Sequence, residues 1–502
     1  MRWVKAGAIV GLVAMCAVAL GPVGSALNLD AASAAPVPRK PNIVVILADD
    51  LGYADISAYG IKRISTPNID RIGAAGIKFT DAYATAPVCG PSRAGLNTGR
   101  YPERSGFEYN NGPARRDLDQ GLGLAQGEIT LSQALHVHGY HTGMIGKWHL
   151  GSATPFYPTN RGYDEFVGFL TGQTEYIDPK VPGVHTFEAT ESSEGGAAIA
   201  ARATLRGALN EVMEGPNHTV IHNEQQYLTE FWGDRASDYI KRNAPSEAPY
   251  FLYFAPNAAH APYQVTQKYY DRFPQIKDEH LRIYAAMISA LDDAVGQVLK
   301  AIDDSGEAND TLVYFMTDNG CAAYVPGICA CEPLRGGKLT HYEGGVRVPF
   351  MIRWPGKIRP GQVDHRVVSL MDVFPTSLNA AGGRLATDRV YDGVNLMPFI
   401  TTNRTAKPHD ELIWRRSPLV SIRKGDWKLW KSVGTEYGTY TLLFNLKTDL
   451  NETTNLAAQN PAKVRELEAD IAQWSKDMQD PKWPSRPATT YNVCGTPFTV
   501  PI

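Results

Sequence analysis

Apolar residues run without interruption through three segments of the chain, and each segment ends in polar residues. The first begins at Asn42 and reads Asn-Ile-Val-Val-Ile-Leu-Ala before two aspartates, and the others are 250–256 and 311–320. Unbroken apolar runs of this length are typical of strands that are buried on both faces, as in a parallel sheet. The polar residues that follow then lie at the carboxyl ends of strands, where open α/β sheets place their chemistry.

Between these runs the apolar residues recur at helical spacing. The spacing predicts helices over 129–138, 228–242 and 279–302. Strands that alternate with helices favour an α/β fold, with a large mostly parallel (mixed) sheet sandwiched by helices. Residues 177–225 are rich in Ser, Gly and Ala and have no strand pattern, so we predict a surface insertion there.

A smaller unit is predicted from residue 405 onward. Its pattern indicates an α+β subdomain, in which a short antiparallel sheet precedes a terminal helix, so we divide the chain into a main domain over 35–404 and a C-terminal subdomain over 405–502. The main domain is predicted to end with a strand over 348–354 and a helix over 371–381, and the subdomain to contain strands over 419–423, 427–431 and 441–446 and a helix over 461–478.

The N-terminus has the pattern of an export signal. Arg2 and Lys5 precede the uncharged run 6–20, and an Ala-Ser-Ala cleavage pattern ends at Ala34. A membrane anchor needs about 20 apolar residues, and this run is shorter. We therefore predict a signal peptide over 1–34 and a periplasmic or secreted protein. A second hydrophobic span is lacking, so we expect no membrane span in the mature form.

Composition narrows the range of partners. The chain has 502 residues, of which 43% are hydrophobic and 20% charged, as in ordinary globular proteins. The formal net charge of −3 gives no basic footprint for nucleic acid, so we expect no nucleic-acid partner.

The cysteines divide into an even set and one isolated residue. Once Cys16 leaves with the signal, four cysteines suit two disulfides in an oxidising compartment, with three possible pairings. Cys89 is left over, and it is half of a disulfide, a buried small residue, a thiol nucleophile or a precursor of another group. The even set is Cys321, Cys329, Cys331 and Cys494.

Two of the apolar runs end in oxygen-bearing side chains. Asp49 and Asp50 follow the first run, and Asp318 and Asn319 lie in the last. Adjacent acids at a strand end often form only a solvated turn or a helix cap. A second oxygen-rich strand end, however, favours a site for a hard divalent cation, and Ca²⁺ takes six to eight oxygens. We predict one Ca²⁺ held by these four residues.

Cationic and proton-donating side chains occur in four further segments. Each is individually more typical of surface charge or of a hydrogen-bonded core histidine. Together, opposite a metal ion, they suit a tetrahedral oxyanion ester whose charge shifts during displacement. With the isolated cysteine, they are Cys89, Arg93, Lys147, His149, His260 and Lys338.

These residues resemble a known family. Cys89-x-Pro91-x-Arg93, followed by Ala-Gly-Leu-Asn-Thr-Gly-Arg, resembles the signature of type I (formylglycine-dependent) sulfatases, members of the alkaline phosphatase superfamily. The segment 139–151 is similar to the second signature of that family, and the resemblance extends over about 41–475. Gly90 departs from the usual hydroxyl-bearing residue or alanine beside the cysteine.

The resemblance implies that Cys89 is a precursor. A formylglycine-generating enzyme would oxidise it to Cα-formylglycine during export. One hydroxyl of the hydrated aldehyde would attack sulfur and release the alcohol. The second hydroxyl would then lose its proton and expel sulfate, which a serine could not do.

The resemblance also implies roles for the other residues. Arg93 and Lys147 would hold the hydrated aldehyde, and His149 would be the base that collapses the sulfated intermediate. His260 and Lys338 would bind sulfate, and either would protonate the leaving oxygen. We place His260 first, because a histidine gives up a proton more readily near neutral pH.

The predicted function is hydrolysis of a sulfate ester on a carbohydrate, with aryl sulfates as surrogates. The alternatives are a phosphate or phosphonate monoester hydrolase of the same superfamily and a non-catalytic carbohydrate-binding relative. Specificity is expected from the loops 101–128 and 177–225. Candidate sugar contacts, although more typical of ordinary loop residues, are Arg115, Arg116, Phe107, Tyr109 and Tyr176.

Overall fold

Ten strands form one mixed sheet at the centre of the fold, and a separate four-stranded sheet lies near the C-terminus. The described strands, in chain order, are β1 (Asn42–Ala48), β2 (Ile77–Phe79), β3 (Ala82–Tyr83), β4 (His141–Lys147), β5 (Glu165–Phe169), β6 (Val184–Phe187), β7 (Met213–Glu214), β8 (Thr219–Val220), β9 (Tyr250–Ala255), β10 (Tyr263–Thr266), β11 (Thr311–Thr317), β12 (Phe350–Arg353), β13 (Gln362–Asp364), β14 (Val368–Ser369), β15 (Glu411–Arg416), β16 (Leu419–Lys424), β17 (Trp427–Ser432), β18 (Tyr440–Asn445), β19 (Thr489–Val493) and β20 (Thr496–Val500).

The computed structural model describes most of the chain after the predicted signal peptide. Residues 40–502 cluster as one compact unit, and the predicted division at residue 404 stays a prediction. The segment 1–34 lies outside the described residues, which are 39–60, 63–112, 114–187, 211–221, 226–330, 332–402, 404–434, 437–485, 489–494 and 496–500. Within these ranges, every helix is too short or too polar to cross a lipid bilayer.

The central sheet has the order β13-β2-β12-β11-β1-β9-β4-β5-β7-β8. Its five middle strands, from β11 to β5, are parallel, and β12 and β7 run antiparallel to the strands beside them. Asn42 lies opposite Thr311 and Ala48 opposite Thr317, so β1 and β11 end together. This shared register places the polar residues that follow both strands at one edge of the sheet. The predicted mostly parallel α/β sheet is confirmed.

Both faces of the sheet are covered, which explains the unbroken apolar runs. Along β1, Val44 and Ile46 pack into one core with the helices Leu228–Asn243 and Glu279–Asp304. Ile43 and Val45 face the opposite core, which contains residues of three other helices: Cys89–Thr98, Leu131–His136 and Val373–Ala380.

The predicted helices are confirmed with small shifts at their ends. Asp278 caps the longest helix by accepting a hydrogen bond from the backbone N–H of Leu281 at 2.9 Å. Thr130 and Gln133 form a reciprocal capping box at the helix that follows them. The described helices are Pro67–Ala74, Cys89–Thr98, Ala114–Gln120, Leu131–His136, Leu228–Asn243, Gln267–Tyr270, Glu279–Asp304, Glu343–Val346, Val373–Ala380, Met397–Ile400 and Pro461–Ser475.

The C-terminal sheet has four antiparallel strands in the order β15-β16-β17-β18, and the helix Pro461–Ser475 packs on it. The short antiparallel sheet and terminal helix are therefore confirmed. Two parts of this region were missed: β15, which continues directly into β16 through a two-residue turn, and the hairpin β19–β20.

The prediction that 177–225 lacks strands was wrong for the residues described there. β6 pairs antiparallel with β10, while β7 and β8 continue the central sheet beyond β5. Each of these strands has only two to four residues, too few for a two-residue periodicity to stand out. Residues 188–210 and 222–225 lie outside the described part of the chain.

The disulfide pattern sets Cys89 apart. Cys321 is paired with Cys329, and Cys494 is also disulfide-bonded, while Cys331 lies outside the described residues. Cys89 is a free, buried thiol. Of the four interpretations of Cys89, half of a disulfide is therefore excluded.

Replacing Glu103 with glutamine should stabilise the protein at alkaline pH. Glu103 is buried, one of its carboxylate oxygens has no hydrogen-bond partner, and burial together with Glu108 raises its pKa to about 8. The folded state then binds a proton that the unfolded state has released, so stability falls as pH rises from about 4.5 to 8. We expect E103Q to flatten this fall and to add on the order of 2 kcal/mol to the free energy of unfolding at pH 8.

Urea unfolding between pH 5 and 8.5 measures this effect. Glu108→Gln is the comparison variant. It removes the neighbouring charge that raises the pKa of Glu103, but it also weakens the hydrogen bond that Arg415 Nε donates to Glu108 at 2.8 Å, so it should lower stability rather than raise it. An unchanged slope of stability against pH in E103Q would contradict the assignment.

Candidate active site

The carboxyl ends of β1 and β11 bring four oxygen-bearing side chains together. Asp49 and Asp50 follow β1, and Asp318 and Asn319 follow β11, all of them almost fully buried. Asp50 has a left-handed backbone (φ 55°), and its N–H donates to Asp318 Oδ1 at 3.3 Å. Asn319 Nδ2 donates to Asp50 Oδ1 at 2.8 Å. The shared register of the two strands therefore produces one compact cluster.

The helix Cys89–Thr98 aims its first turn at this cluster. Cys89 is its first residue, and the Cys89 Sγ atom lies 4.0 Å from Asp50 Oδ1. Arg93, one turn later, donates from Nε to Asp318 Oδ2 at 2.8 Å, and a second guanidinium nitrogen lies 3.6 Å from Asp49 Oδ2. Arg93 also donates to the backbone carbonyl of Lys147 at 2.9 Å. The guanidinium thus joins three strand ends beside the thiol.

Each of the two aspartates forms an ion pair with one lysine. Lys147 ends β4, and its Nζ lies 2.6 Å from Asp49 Oδ2. Lys338 Nζ lies 2.8 Å from Asp50 Oδ2. Burial alone would raise the pKa of both aspartates, but Lys147 acting on Asp49 and Lys338 acting on Asp50 overcome it, so both pKa values are lowered. Both carboxylates are therefore charged near neutral pH.

Contacts from the C-terminal sheet fix the segment that carries Lys338. The next residue, Leu339, donates its N–H to the Pro87 carbonyl at 2.9 Å, and its own carbonyl accepts a hydrogen bond from Arg416 Nη1 at 3.0 Å. Farther along, Glu343 forms a buried ion pair with Lys428 of β17 at 2.8 Å. Arg416 and Lys428 both belong to the C-terminal sheet, so that sheet supports one wall of the site.

The histidines are held differently from each other. His149 follows β4 with a left-handed backbone (φ 59°), and its buried Nδ1 has no hydrogen-bond partner. Burial, together with Lys147 and Arg93, holds the pKa of His149 well below its usual value, so the imidazole is neutral.

His260 lies at the mouth of the cluster with 13% of its side chain exposed. Its Nδ1 contacts the Ala261 carbonyl at 2.6 Å, which fixes the proton on Nδ1, and its Nε2 lies 3.6 Å from Asp50 Oδ2. Burial and Lys338 lower the pKa of His260. Tyr176 donates to the carbonyls of both Asn257 and His260, at 2.5 and 2.9 Å, and so positions this turn.

The donor set fits a hard divalent cation. Asp49 Oδ1 and Asn319 Oδ1 are buried oxygens without a hydrogen-bond partner. Potential ligand atoms of Asp49, Asp50, Cys89 and His260 all lie within 4.8 Å of one another. Buried, orphaned carboxylate and amide oxygens are the ligands that Ca²⁺ prefers. The residues present therefore match a Ca²⁺ site.

The Cys89 thiol is a poor nucleophile in this setting. Its side chain is 1% exposed, and burial raises its pKa to about 12 despite Lys147 and Lys338. The thiolate, which is the reactive form, is therefore scarce near neutral pH.

Burial argues against sugar contacts at the three aromatic candidates. These side chains pack inside the protein: the exposed fraction is 1% for Phe107, 4% for Tyr109 and 1% for Tyr176. The side chains of Arg115 and Arg116 lie outside the described residues. Sequence reasoning also missed the role of Tyr176 in holding His260, since no local pattern links positions 84 residues apart.

Comparisons with known proteins place the chain in a family. The model described as Sulfatase matches residues 41–383, and the model described as N-sulphoglucosamine sulphohydrolase, C-terminal, matches residues 337–479. The chain is 34% identical to N-acetylgalactosamine-6-sulfatase of Rattus norvegicus over 417 residues, which cover 82% of this chain and 74% of the relative. It is 34% identical to steryl-sulfatase of Mus musculus over 440 residues, covering 77% and 69%.

The fold agrees with solved structures. The structure of Ps i-CgsB in complex with k-i-k-neocarrahexaose superposes with a TM-score of 0.76 at 32% identity, covering 88% of this chain and 94% of that one. Phosphonate monoester hydrolase of Agrobacterium radiobacter shares the fold with a TM-score of 0.61 at 21% identity, covering 87% and 96%. The chain belongs to the sulfatase family and is a sulfuric ester hydrolase.

Proposed function

We propose that the chain removes sulfate from a sulfated carbohydrate and that residue 89 acts as formylglycine. The observation that carries this proposal is the free, buried Cys89 at the start of a helix, close to buried carboxylate and amide side chains and to basic side chains. A thiol with a pKa of about 12 has no evident use there. Oxidised to the aldehyde and hydrated, the same position would supply one hydroxyl for attack on sulfur and a second for expulsion of sulfate.

The basic residues provide the electrostatic part of the reaction. Arg93 is held rigidly by Asp318 and by the Lys147 carbonyl, so its charge is fixed beside residue 89. Lys147 and Lys338 hold their ammonium groups 2.6 and 2.8 Å from Asp49 and Asp50. Preorganised cations of this kind stabilise charge that develops on sulfate oxygens without reorganising during the reaction.

Ca²⁺ would be held by Asp49, Asp50, Asp318 and Asn319. Bound there, it would neutralise the carboxylates and polarise an oxygen of the reacting groups. The orphaned oxygens of Asp49 and Asn319 support this assignment.

Proton transfers fall to the two histidines and to Lys338. His149 is neutral, so one of its ring nitrogens accepts the proton of the hydroxyl that expels sulfate. His260 already carries a proton on Nδ1, and with a second proton on Nε2 it would act as the acid for the leaving oxygen. Lys338 is the alternative acid, since its ammonium contacts the same Asp50 oxygen that His260 Nε2 faces, at 2.8 Å.

The predicted export route agrees with the proposed oxidation of Cys89. The predicted signal peptide would direct the chain to the periplasm or the medium, and a formylglycine-generating enzyme would act on Cys89 on the way. The carbohydrate class is supported by relatives whose names specify N-acetylgalactosamine 6-sulfate and by a structural relative solved with neocarrahexaose.

A phosphate or phosphonate monoester is the alternative substrate, because the fold is shared with a phosphonate monoester hydrolase. Steady-state rates on 4-nitrophenyl sulfate and 4-nitrophenyl phosphate test the choice. We expect kcat/KM to favour the sulfate by about 10²-fold or more. A preference for the phosphate would overturn the proposed function, and hydrolysis of N-acetylgalactosamine 6-sulfate would support the carbohydrate class.

A further inference from the structure

The residue after Cys89 has no side chain, and the space that a side chain would need is filled. A Cβ atom on Gly90 would lie 3.0 Å from Asn110 Oδ1 and 3.1 Å from Phe107 Cε1. Both distances are too short for an ordinary Cβ contact. The absence of a side chain at Gly90 therefore lets the segment 107–111 approach the residue next to Cys89 directly.

Interior contacts hold this segment in place. The ring of Trp483 packs edge-on against Phe107 with 4.9 Å between centroids. Trp483 Nε1 donates to the carbonyls of Tyr109 and Asn110 at 3.2 Å each, and the Tyr109 hydroxyl donates to Ser417 O at 2.6 Å. The segment is thus a fixed wall of the site.

The orientation of the Asn110 carboxamide follows from its contact with Gly90. Asn110 Oδ1 accepts the Gly90 N–H at 2.9 Å, so the oxygen end faces the backbone beside residue 89. The Nδ2 end has no acceptor within hydrogen-bond distance in the described part of the chain, and the Asn110 residue is partly exposed. An oriented amide donor one residue from the reactive position is therefore available to a ligand.

The same segment is also linked, through Asp117, to the stretch of chain that carries His149. Asn111 Nδ2 donates to Asp117 Oδ2 at 2.8 Å, and Ser152 Oγ reaches the same oxygen at 3.2 Å. Ser152 lies three residues after His149, so the wall is joined both to the segment of Cys89 and to that of His149.

We infer that Asn110 is a specificity-determining residue, whose Nδ2 donates a hydrogen bond to an uncharged oxygen on the alcohol part of the sulfate ester. This inference rests on the proposed function. An amide N–H recognises a hydroxyl or ring oxygen, whereas the sulfate group itself is matched by the charged residues of the site. A sugar presents such oxygens close to its sulfate, and a nitrophenyl group presents none at the corresponding distance.

The test compares Asn110→Ala with the wild type on N-acetylgalactosamine 6-sulfate, neocarrahexaose sulfate and 4-nitrophenyl sulfate. The measured quantity is the ratio of kcat/KM for each carbohydrate ester to kcat/KM for the aryl ester. Loss of one hydrogen bond between uncharged groups should lower this ratio about tenfold for the better carbohydrate substrate. Asn160→Ala, which removes an exposed amide that donates to Thr154 O, is the matched control and should leave the ratio unchanged.

A double-mutant cycle with Gly90→Ala tests the geometry. The added Cβ should displace Asn110 and lower the ratio by a similar factor, so the double variant Gly90→Ala/Asn110→Ala should fall no further than either single variant. Mass spectrometry of the peptide around residue 89 verifies that maturation is equal in all variants.

Four results of these experiments would overturn the inference, and a fifth would instead refute the proposed function. An unchanged ratio in Asn110→Ala, equal losses on all three esters, additive losses in the double variant, or a wild type that cleaves only the aryl ester would overturn it. A wild type that cleaves no sulfate ester would instead refute the proposed function.

Discussion

Replacing Cys89 with serine should abolish turnover while the fold is retained. The serine hydroxyl has nearly the size of the thiol, and the 1% exposed position makes no disulfide or ion pair that the change would break. Serine can attack sulfur once, but it has no second hydroxyl whose deprotonation releases the sulfate. We expect kcat to fall by about 10³-fold or more, because an essential covalent step is lost.

Mass spectrometry measures both the modification of residue 89 in the wild type and the trapped sulfate ester in C89S. The wild-type peptide containing residue 89 should be about 18 Da lighter than its thiol form, and the C89S peptide should become heavier by one sulfuryl group after incubation with substrate. Thr98→Ser, a conservative change at the far end of the same helix, should keep full activity. Wild-type activity from a peptide that carries only the unmodified thiol would rule out the formylglycine proposal.

Removal of Ca²⁺ should lower catalytic activity strongly, second only to the replacement of Cys89. Without a cation, the buried oxygens of Asp49 and Asn319 lack partners, so both catalysis and the stability of the site should suffer. Dialysis against a chelator should lower kcat/KM by about 10²-fold or more, because electrostatic stabilisation of the transition state is lost. Ca²⁺ at about a hundredfold its Kd should add about 2.7 kcal/mol to the free energy of unfolding.

Two variants distinguish binding of Ca²⁺ at the proposed site from an effect of Ca²⁺ elsewhere on the protein. Asp49→Asn should remove the stabilisation by Ca²⁺, since it weakens the proposed ligand set. Asp292→Asn is the control: this buried carboxylate accepts backbone hydrogen bonds at the start of the helix Pro67–Ala74, away from the site. It should lower stability without changing the response to Ca²⁺, and an Asp49→Asn variant that still responds would disprove the ligand assignment.

The sequence predicted the site where chemistry follows a strong local pattern. Asp49 and Asp318 come directly after buried apolar runs, and parallel strands with matched ends bring such residues to one edge. For Lys147 and His149, the spacing of two residues does not by itself predict how the second side chain reaches the site. The strand ends at Lys147, and the left-handed backbone of His149 turns its ring into the cluster.

The local pattern of apolar and polar residues could not predict contacts between segments far apart in the chain. The proximity of Gly90 to Asn110 depends on Trp483, nearly 400 residues later. The sequence marks Gly90 as unusual beside the cysteine, but it does not link Gly90 to Asn110. The strands β7 and β8 pass unnoticed because they have two residues each, yet they extend the sheet. Long-range packing, which decides these features, is not encoded in local periodicity.

If residue 89 becomes formylglycine as proposed, the burial of Cys89 also limits the time in which the thiol can be oxidised. The residues that close the site around it include Asp318 and Lys338, which leave the ribosome about 230 residues or more after Cys89, at ~5–20 residues per second. A modifying enzyme therefore has about 10–50 s of synthesis in which position 89 lies in an incomplete fold. Once the segment of Lys338 docks, Cys89 is buried, so the proposed oxidation has to precede folding of this part of the chain.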